Sequence, residues 1–366
     1  MNGYKNERMC NSYIRGFRNR QLEKKWEDLM RIAFLVGNGF DRALDNAKVR
    51  ITGKESVANT AYKGAYDFFE RYDFLEHELK DNVFVGDLLK TTLDKCSDWE
   101  KLMVEEFNAI TSSTEWPRLF RDKDNTVAFI KEVFRLWEKA MNAEAVYEKV
   151  FPEFRKSLIE LFERIDPSDL ERLESLLDLN DRFNKEDISV GFVTFNGTNI
   201  LERFVQDLSV APVEMRLNGK NKPVKLLPEV HYVHSNIHCD EEAYISKAFG
   251  TTDKKKVYKL DNNNIPTSVK CSLIKTNPLF KEWIKEADLI VVHGLSLGES
   301  DSQYMQWIME QVEKKAVLLD FPLNNTDRLT RTRLYTDNSR NPGIDSKIII
   351  GVNPKCNVKG ALLFDF

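Results

Sequence analysis

Residues 31–41 read RIAFLVGNGFD: an apolar run from Ile32 to Val36 closed by the turn Gly37-Asn38-Gly39-Phe40-Asp41. A continuous apolar run of this length predicts a strand buried on both faces, as parallel sheets require. A glycine turn from strand to helix lets backbone N–H groups approach a phosphate, with the positive helix end favouring the anion. The dinucleotide fingerprint G-x-G-x-x-G is incomplete, because Arg42 occupies the third glycine position. A tight structural connection with no ligand would use the same turn.

Working outward, the stretches 188–196, 224–234, 287–294, 315–321 and 346–352 also suit buried or half-buried strands. Helical patterns separate several of them. Strands alternating with helices predict an α/β fold with a Rossmann-like, mostly parallel sheet. Between the first strand and the others, periodicity turns helical. Val127, Ile130, Val133, Phe134 and Trp137 share one face, as do Phe151, Phe154, Leu158, Leu161 and Phe162. Asp166-Pro167-Ser168 breaks the pattern before a further helix.

Charge follows the same division. Residues 1–60 carry a net +5, residues 61–190 a net −11 and residues 191–366 a net +2, within a total of −4 over 366 residues. The organisation read from this is an arm or extension over 1–29, an α/β domain over 30–63 and 184–366, and an acidic helical insertion over 64–183. An acidic helical block is also what a solvated outer face looks like. The near-neutral total gives no strong drive toward nucleic acid. With 42% hydrophobic and 31% charged residues, the chain is neither disordered nor low in complexity. No apolar run approaches the ~20 residues of a membrane helix. Residues 1–21 have no apolar core of a secretory signal. Five scattered cysteines, never in a C-x-x-C pair, suit reduced thiols and a cytoplasmic protein without membrane contact.

Three further segments carry polar groups at strand ends, where α/β sheets bind ligands. In Phe195-Asn196-Gly197-Thr198-Asn199, the Asn196 amide can both donate to and accept from a water or sugar hydroxyl. Asn196-Gly197 also makes a turn, and Thr198 or Asn199 a helix cap. His231, His234 and His238 fall within eight residues. On a helix they would share a face and suit a metal. The strand-like Val, Tyr and Ile around them split their faces instead, so no metal is expected. Finally, strand 287–293 runs into Gly294-Leu295-Ser296-Leu297-Gly298-Glu299-Ser300-Asp301, with Ser300-x-x-Gln303 read as a capping box.

Taken in order, these elements resemble the AbiH family of bacteriophage abortive infection. Its pattern stands here as Gly37–Asp41, Phe195–Glu202, Tyr232–Ser235 and Gly294–Asp301. Departures are Gly197 for a usual Tyr, Ile200 for a usual Thr, and Ser235 for a glycine. The pattern is also distantly similar to sirtuin-like NAD-binding domains. That resemblance implies NAD or a related nucleotide as ligand or substrate. Gly37, Asn38, Gly39, Phe40 and Asp41 would form the phosphate turn, and Asn196 and His234 would be catalytic. Thr198, Asn199, Gly294, Ser296, Leu297 and Asp301 would complete the nucleotide site. The implied activity is hydrolysis of the N-glycosidic bond, with a phage-derived trigger and homo-oligomerisation through the helical insertion. Two other readings are a catalytically silent nucleotide-sensing module and a metal-dependent hydrolase or nuclease using His231, His234 and His238.

Overall fold

The computed structural model describes residues 29–53, 79, 81–84, 115–234, 236–238, 277–295, 301–322, 328–341, 343–351 and 363–364. In chain order the described elements are β1 (Leu29–Val36), α1 (Asn38–Thr52), α2 (Trp116–Met141), α3 (Glu144–Ile159), α4 (Pro167–Leu177) and α5 (Leu179–Lys185). These are followed by β2 (Asp187–Thr194), α6 (Ile200–Ser209), β3 (Val213–Leu217) and β4 (Lys220–Tyr232). The last are α7 (Leu279–Ile284), β5 (Leu289–His293), α8 (Ser302–Lys314), β6 (Val317–Phe321), α9 (Arg328–Thr336) and β7 (Ile348–Ile350).

The seven strands form one mixed sheet in the order β3-β4-β2-β1-β5-β6-β7. All neighbours pair in parallel except β3 with β4. The five expected strand stretches all appear, but β3 was not expected, and it makes the sheet mixed. Its signal is the dipeptide Asn218-Gly219 between β3 and β4. Both residues take positive φ, 51° and 75°, as a tight hairpin of the primed type demands.

Each sheet face has its own core, set by alternation along the strands. Ile32, Phe34 and Val36 of β1 face α1 to α6, packing with Phe40, Leu44, Trp137, Phe154 and Phe204. Ala33 and Leu35 face the opposite way, onto Phe280 and Ile284 of α7 and Tyr304, Met305 and Ile308 of α8. The described part of the acidic helical stretch therefore lies against the sheet and shares its core. The expected stripe on Val127–Trp137 is the buried face of α2; of the second, Phe154 and Leu158 are buried on α3, Phe151 is partly buried there, and Leu161 and Phe162 are buried in the 3-10 turn that follows. At the chain's far end, Leu363 and Phe364 are fully buried in the same core. Phe364 meets the rings of Phe34, Phe40, Phe154 and His293 at centroid distances of 6.2, 5.8, 5.0 and 4.7 Å.

Counted along the chain, the six parallel strands run 3-2-1-4-5-6 across the sheet. Chain direction across the sheet reverses between β1 and β5. The carboxyl ends of β2, β1 and β5 thus meet where connections diverge to opposite faces, which leaves a crevice in an open α/β sheet.

Candidate functional site

At that reversal point the glycine turn is tied across to β5. Gly37 N–H donates to His293 O and Gly39 N–H to Gly294 O, each at 2.9 Å. Gly294 has φ +59°, and a Cβ built on it would lie 2.4 Å from Gly39 Cα. A Cβ on Gly37 would lie 2.6 Å from Leu295 Cα. The tightest approaches at Gly37 and Gly294 are to backbone atoms, and two of the N–H groups expected to meet phosphate are engaged in backbone hydrogen bonds there. Asp41, buried in the first turn of α1, already sets a carboxylate at the positive helix end. Phe40 points into the core, with edge contacts to Phe154, Phe204 and Phe364. Asn38, partly exposed, is the residue of this turn whose side chain is not enclosed.

Asn196 stands two residues beyond β2, 4% exposed. The turn is fixed by Phe195 N–H on Val36 O at 2.9 Å and by Asn196 N–H on Thr194 Oγ1 at 3.0 Å. Its amide nitrogen donates to Gly37 O at 3.2 Å and to Asp41 Oδ1 at 3.1 Å. Two acceptors on one side dictate which end of the amide is nitrogen. Asn196 Oδ1 is left buried, without a hydrogen-bond partner among the described residues.

His234 lies just past β4, enclosed by the edges of Phe195 at 5.5 Å and Tyr304 at 6.1 Å. Its Nε2 is 3.9 Å from Asp301 Oδ1, within ion-pair reach and beyond hydrogen-bond distance. Asp301 is the N-cap residue of α8 but makes no side-chain cap bond. The expected Ser300 cap, like Ser296 and Leu297, falls outside the described residues. What precedes that segment is well anchored: Arg331, buried on α9, donates to Leu295 O at 2.7 Å and pairs with the fully buried Asp320 at 2.5 Å. Arg331 was not foreseen, because a long-range pair leaves no mark in local sequence.

The third group joins the helical stretch to the rim. Glu138 of α2, buried at 7% side-chain exposure, accepts Asn199 N–H on Oε2 at 2.8 Å and meets His238 Nε2 through Oε1 at 2.7 Å. Asn199 is the N-cap residue of α6, with no side-chain cap bond; its Oδ1 is buried and unpartnered. Thr198 is buried beside it. Ile237 N–H donates to Gly197 O at 2.8 Å, so the loop after β4 rests on the turn after β2. Arg203 of α6 reaches Asn142 at the end of α2 and lies 3.8 Å over the Tyr147 ring. Sequence reasoning missed Glu138; a lone glutamate within an apolar helical stripe, beside Trp137, was the available signal.

The three clustered histidines do not converge. His231 stacks on Trp283 at 5.5 Å, His234 turns to Asp301 and His238 to Glu138. Among the described residues no group of three or more His, Cys, Asp or Glu is placed to hold a metal ion. The strand's twofold alternation and its end send the three rings apart, so these histidines do not by themselves form the shared face that the metal-site alternative calls for. Burial lowers His231 to about 4 and His293 to about 3, so both are neutral at pH 7.

These features define an α/β protein with a mixed seven-stranded sheet and a polar rim built over its carboxyl ends, to which an intervening helical stretch contributes. A family model, "Bacteriophage abortive infection AbiH", matches residues 33–321, and the chain belongs to that family. No curated protein and no solved structure matches it. No helix among the described residues is long and apolar enough to cross a membrane.

Proposed function

We propose that this AbiH protein binds NAD or a chemically similar nucleotide over the carboxyl rim and hydrolyses its N-glycosidic bond, depriving an infected cell of the nucleotide. The observation carrying this reading is Asn196. An amide pinned through its nitrogen to Gly37 O and Asp41, with its oxygen buried and unpartnered, needs a donor to satisfy it. A water or ribose hydroxyl supplies one. The strand order 3-2-1-4-5-6, shared with doubly wound dinucleotide-binding sheets, supports the same location.

The chemistry asks little acid strength of the protein. Nicotinamide leaves neutral from a cationic bond, and what helps is stabilising an oxocarbenium-like ribose and orienting water, as in glycoside cleavage. Asn196 would orient the water or a ribose hydroxyl, and His234 with Asp301 would face the ribose. Thr198 and Asn199 would border the sugar. Gly294, Ser296 and Leu297 would border the adenosine, and Asn38 the phosphates. The reading goes with a cytoplasmic protein, a phage-derived trigger and assembly of copies through the helical stretch 64–183.

Nicotinamide release from NAD by wild type, Asn196→Ala and His234→Ala proteins tests it. Release lost in both variants, with ADP-ribose as the other product, is expected. A wild type that neither binds nor cleaves NAD, with or without phage lysate, sinks the reading. Nucleotide binding without turnover is a second reading, favoured by the engagement of Gly37 and Gly39 N–H groups in the protein's own backbone contacts. Tight NAD binding with no product would select it.

A further inference from the structure

We propose that His238, oriented by Glu138, is the proton acceptor of the rim, taking a proton from a water or sugar hydroxyl held there. The sequence motifs put His234 in that role, but the geometry favours its neighbour. Glu138 is buried at 7% side-chain exposure, and its Oε2 is held by Asn199 N–H at 2.8 Å. The carboxylate is therefore fixed, and Oε1 can reach only in one direction. His238 Nε2 meets it at 2.7 Å, a hydrogen bond that an ionised carboxylate makes only with a protonated ring nitrogen. With a carboxylate as its partner Nε2 is the donor, and in the corresponding neutral tautomer Nδ1 is the ring's acceptor. The His238 ring is half exposed, unlike the more enclosed ring of His234. A buried carboxylate behind one ring nitrogen and a reactant before the other is the arrangement that orients an imidazole base.

The pair is also tied to the turn that follows Asn196. Ile237 N–H bonds to Gly197 O, and Glu138 bonds to Asn199 N–H, so both members are attached to the turn that carries the amide. Tyr232, whose hydroxyl donates to Glu202 at 2.9 Å, closes the same corner. In the hydrolysis proposed above, on which only the choice of substrate rests, water oxygen bonds to ribose C1′. The C1′–N bond breaks with its electron pair leaving on neutral nicotinamide, and the water proton passes to His238 Nδ1. Nε2–H stays on Glu138, and the Nδ1 proton is later released to solvent. His234 is left to contact the ribose.

The test has two arms on the full chain. In the substrate-free arm, ethoxyformylation of His238 by diethyl pyrocarbonate at pH 8 is followed by peptide mass spectrometry. Severalfold slower reaction in Glu138→Gln than in wild type is expected, because the carboxylate holds the ring in the tautomer that leaves Nδ1 as the nucleophile. Equal rates overturn the proposal. In the second arm, NAD cleavage is compared in wild type, His238→Gln and Glu138→Gln. A kcat lower by about 100-fold, with KM and melting temperature little changed, is expected of a lost base. Wild-type turnover by His238→Gln overturns the proposal while leaving the nucleotide reading intact. A wild type inert toward NAD whose His238 reactivity still depends on Glu138 defeats that reading and supports the oriented base.

Discussion

Gly294 lies so close to Gly39 that any side chain on it would overlap the backbone of α1, its virtual Cβ falling 2.4 Å from Gly39 Cα and 2.8 Å from Gly39 N. Its φ of +59° adds a second demand for glycine. Gly294→Ala therefore combines backbone strain with a clash that no rotamer relieves. A loss of about 2–4 kcal/mol is expected, read as a shifted urea midpoint. A variant as stable as wild type would show that the turn after β5 does not press on α1.

Much of this arrangement is legible in the chain, for reasons that differ by element. The apolar runs at Ile32–Val36 and Leu289–His293 have one reading each, because only strands covered on both faces tolerate them. The position of Asn196 just past a strand end was legible from the buried run before it, whereas a turn before a helix would use the same residues. The partners were not legible. Glu138 and Asn199 are 61 residues apart, and Gly37 and Asn196 are 159 apart. Neither pairing follows from local periodicity. The roles of Gly37 and Gly39 were open to either reading, since a phosphate and a neighbouring backbone both ask for the absent Cβ. β3 was missed although Asn218-Gly219 announces its turn and Val213–Leu217 alternates apolar and charged residues as a half-buried strand does, because the run is only five residues long.

The Asn196 amide and the Asp41 carboxylate form a pair whose polarity can be reversed. Asn196→Asp sets a second carboxylate 3.1 Å from Asp41 and faces an oxygen toward Gly37 O, with both partners buried. Like charges at that distance in a dry site oppose each other and shed a proton's worth of stability. About 3 kcal/mol is expected to be lost at pH 7. Adding Asp41→Asn restores a donor opposite the new acid, so the double variant should recover part of that loss. Strict additivity of the two changes in thermal denaturation would mean that the side chains do not meet.

Phe364 fills the core between Phe40, Phe154 and His293, beneath the glycine turn. Truncation leaves a cavity walled by sheet and helices on several sides, which cannot easily collapse. Phe364→Ala should cost about 3–5 kcal/mol. It should also loosen the turn, visible as faster amide exchange at Phe40. Phe364→Leu keeps most of the volume and should cost much less. Near wild-type stability of the alanine variant would place the Phe364 ring elsewhere.

His293 and His231 make the protein sensitive to mild acid. Burial holds them at about 3 and about 4 in the folded chain, whereas the unfolded chain titrates each near its ordinary value of ~6.5. Above that value neither state binds the extra proton, and stability is unaffected. As pH falls below it, only the unfolded chain gains protons. Each histidine then withdraws about 1.4 kcal/mol per pH unit until its folded value is approached. Both ring nitrogens of His293 are buried without hydrogen-bond partners, so His293→Leu removes two unsatisfied groups and preserves bulk. At pH 7.5 this variant should be no less stable than wild type. Between pH 6.5 and pH 5 it should lose about 2 kcal/mol less, measured from urea midpoints. Parallel curves for the two proteins over that interval would mean that His293 is solvated or paired in the folded state, and the neutral, buried ring beside Phe364 would have to be given up.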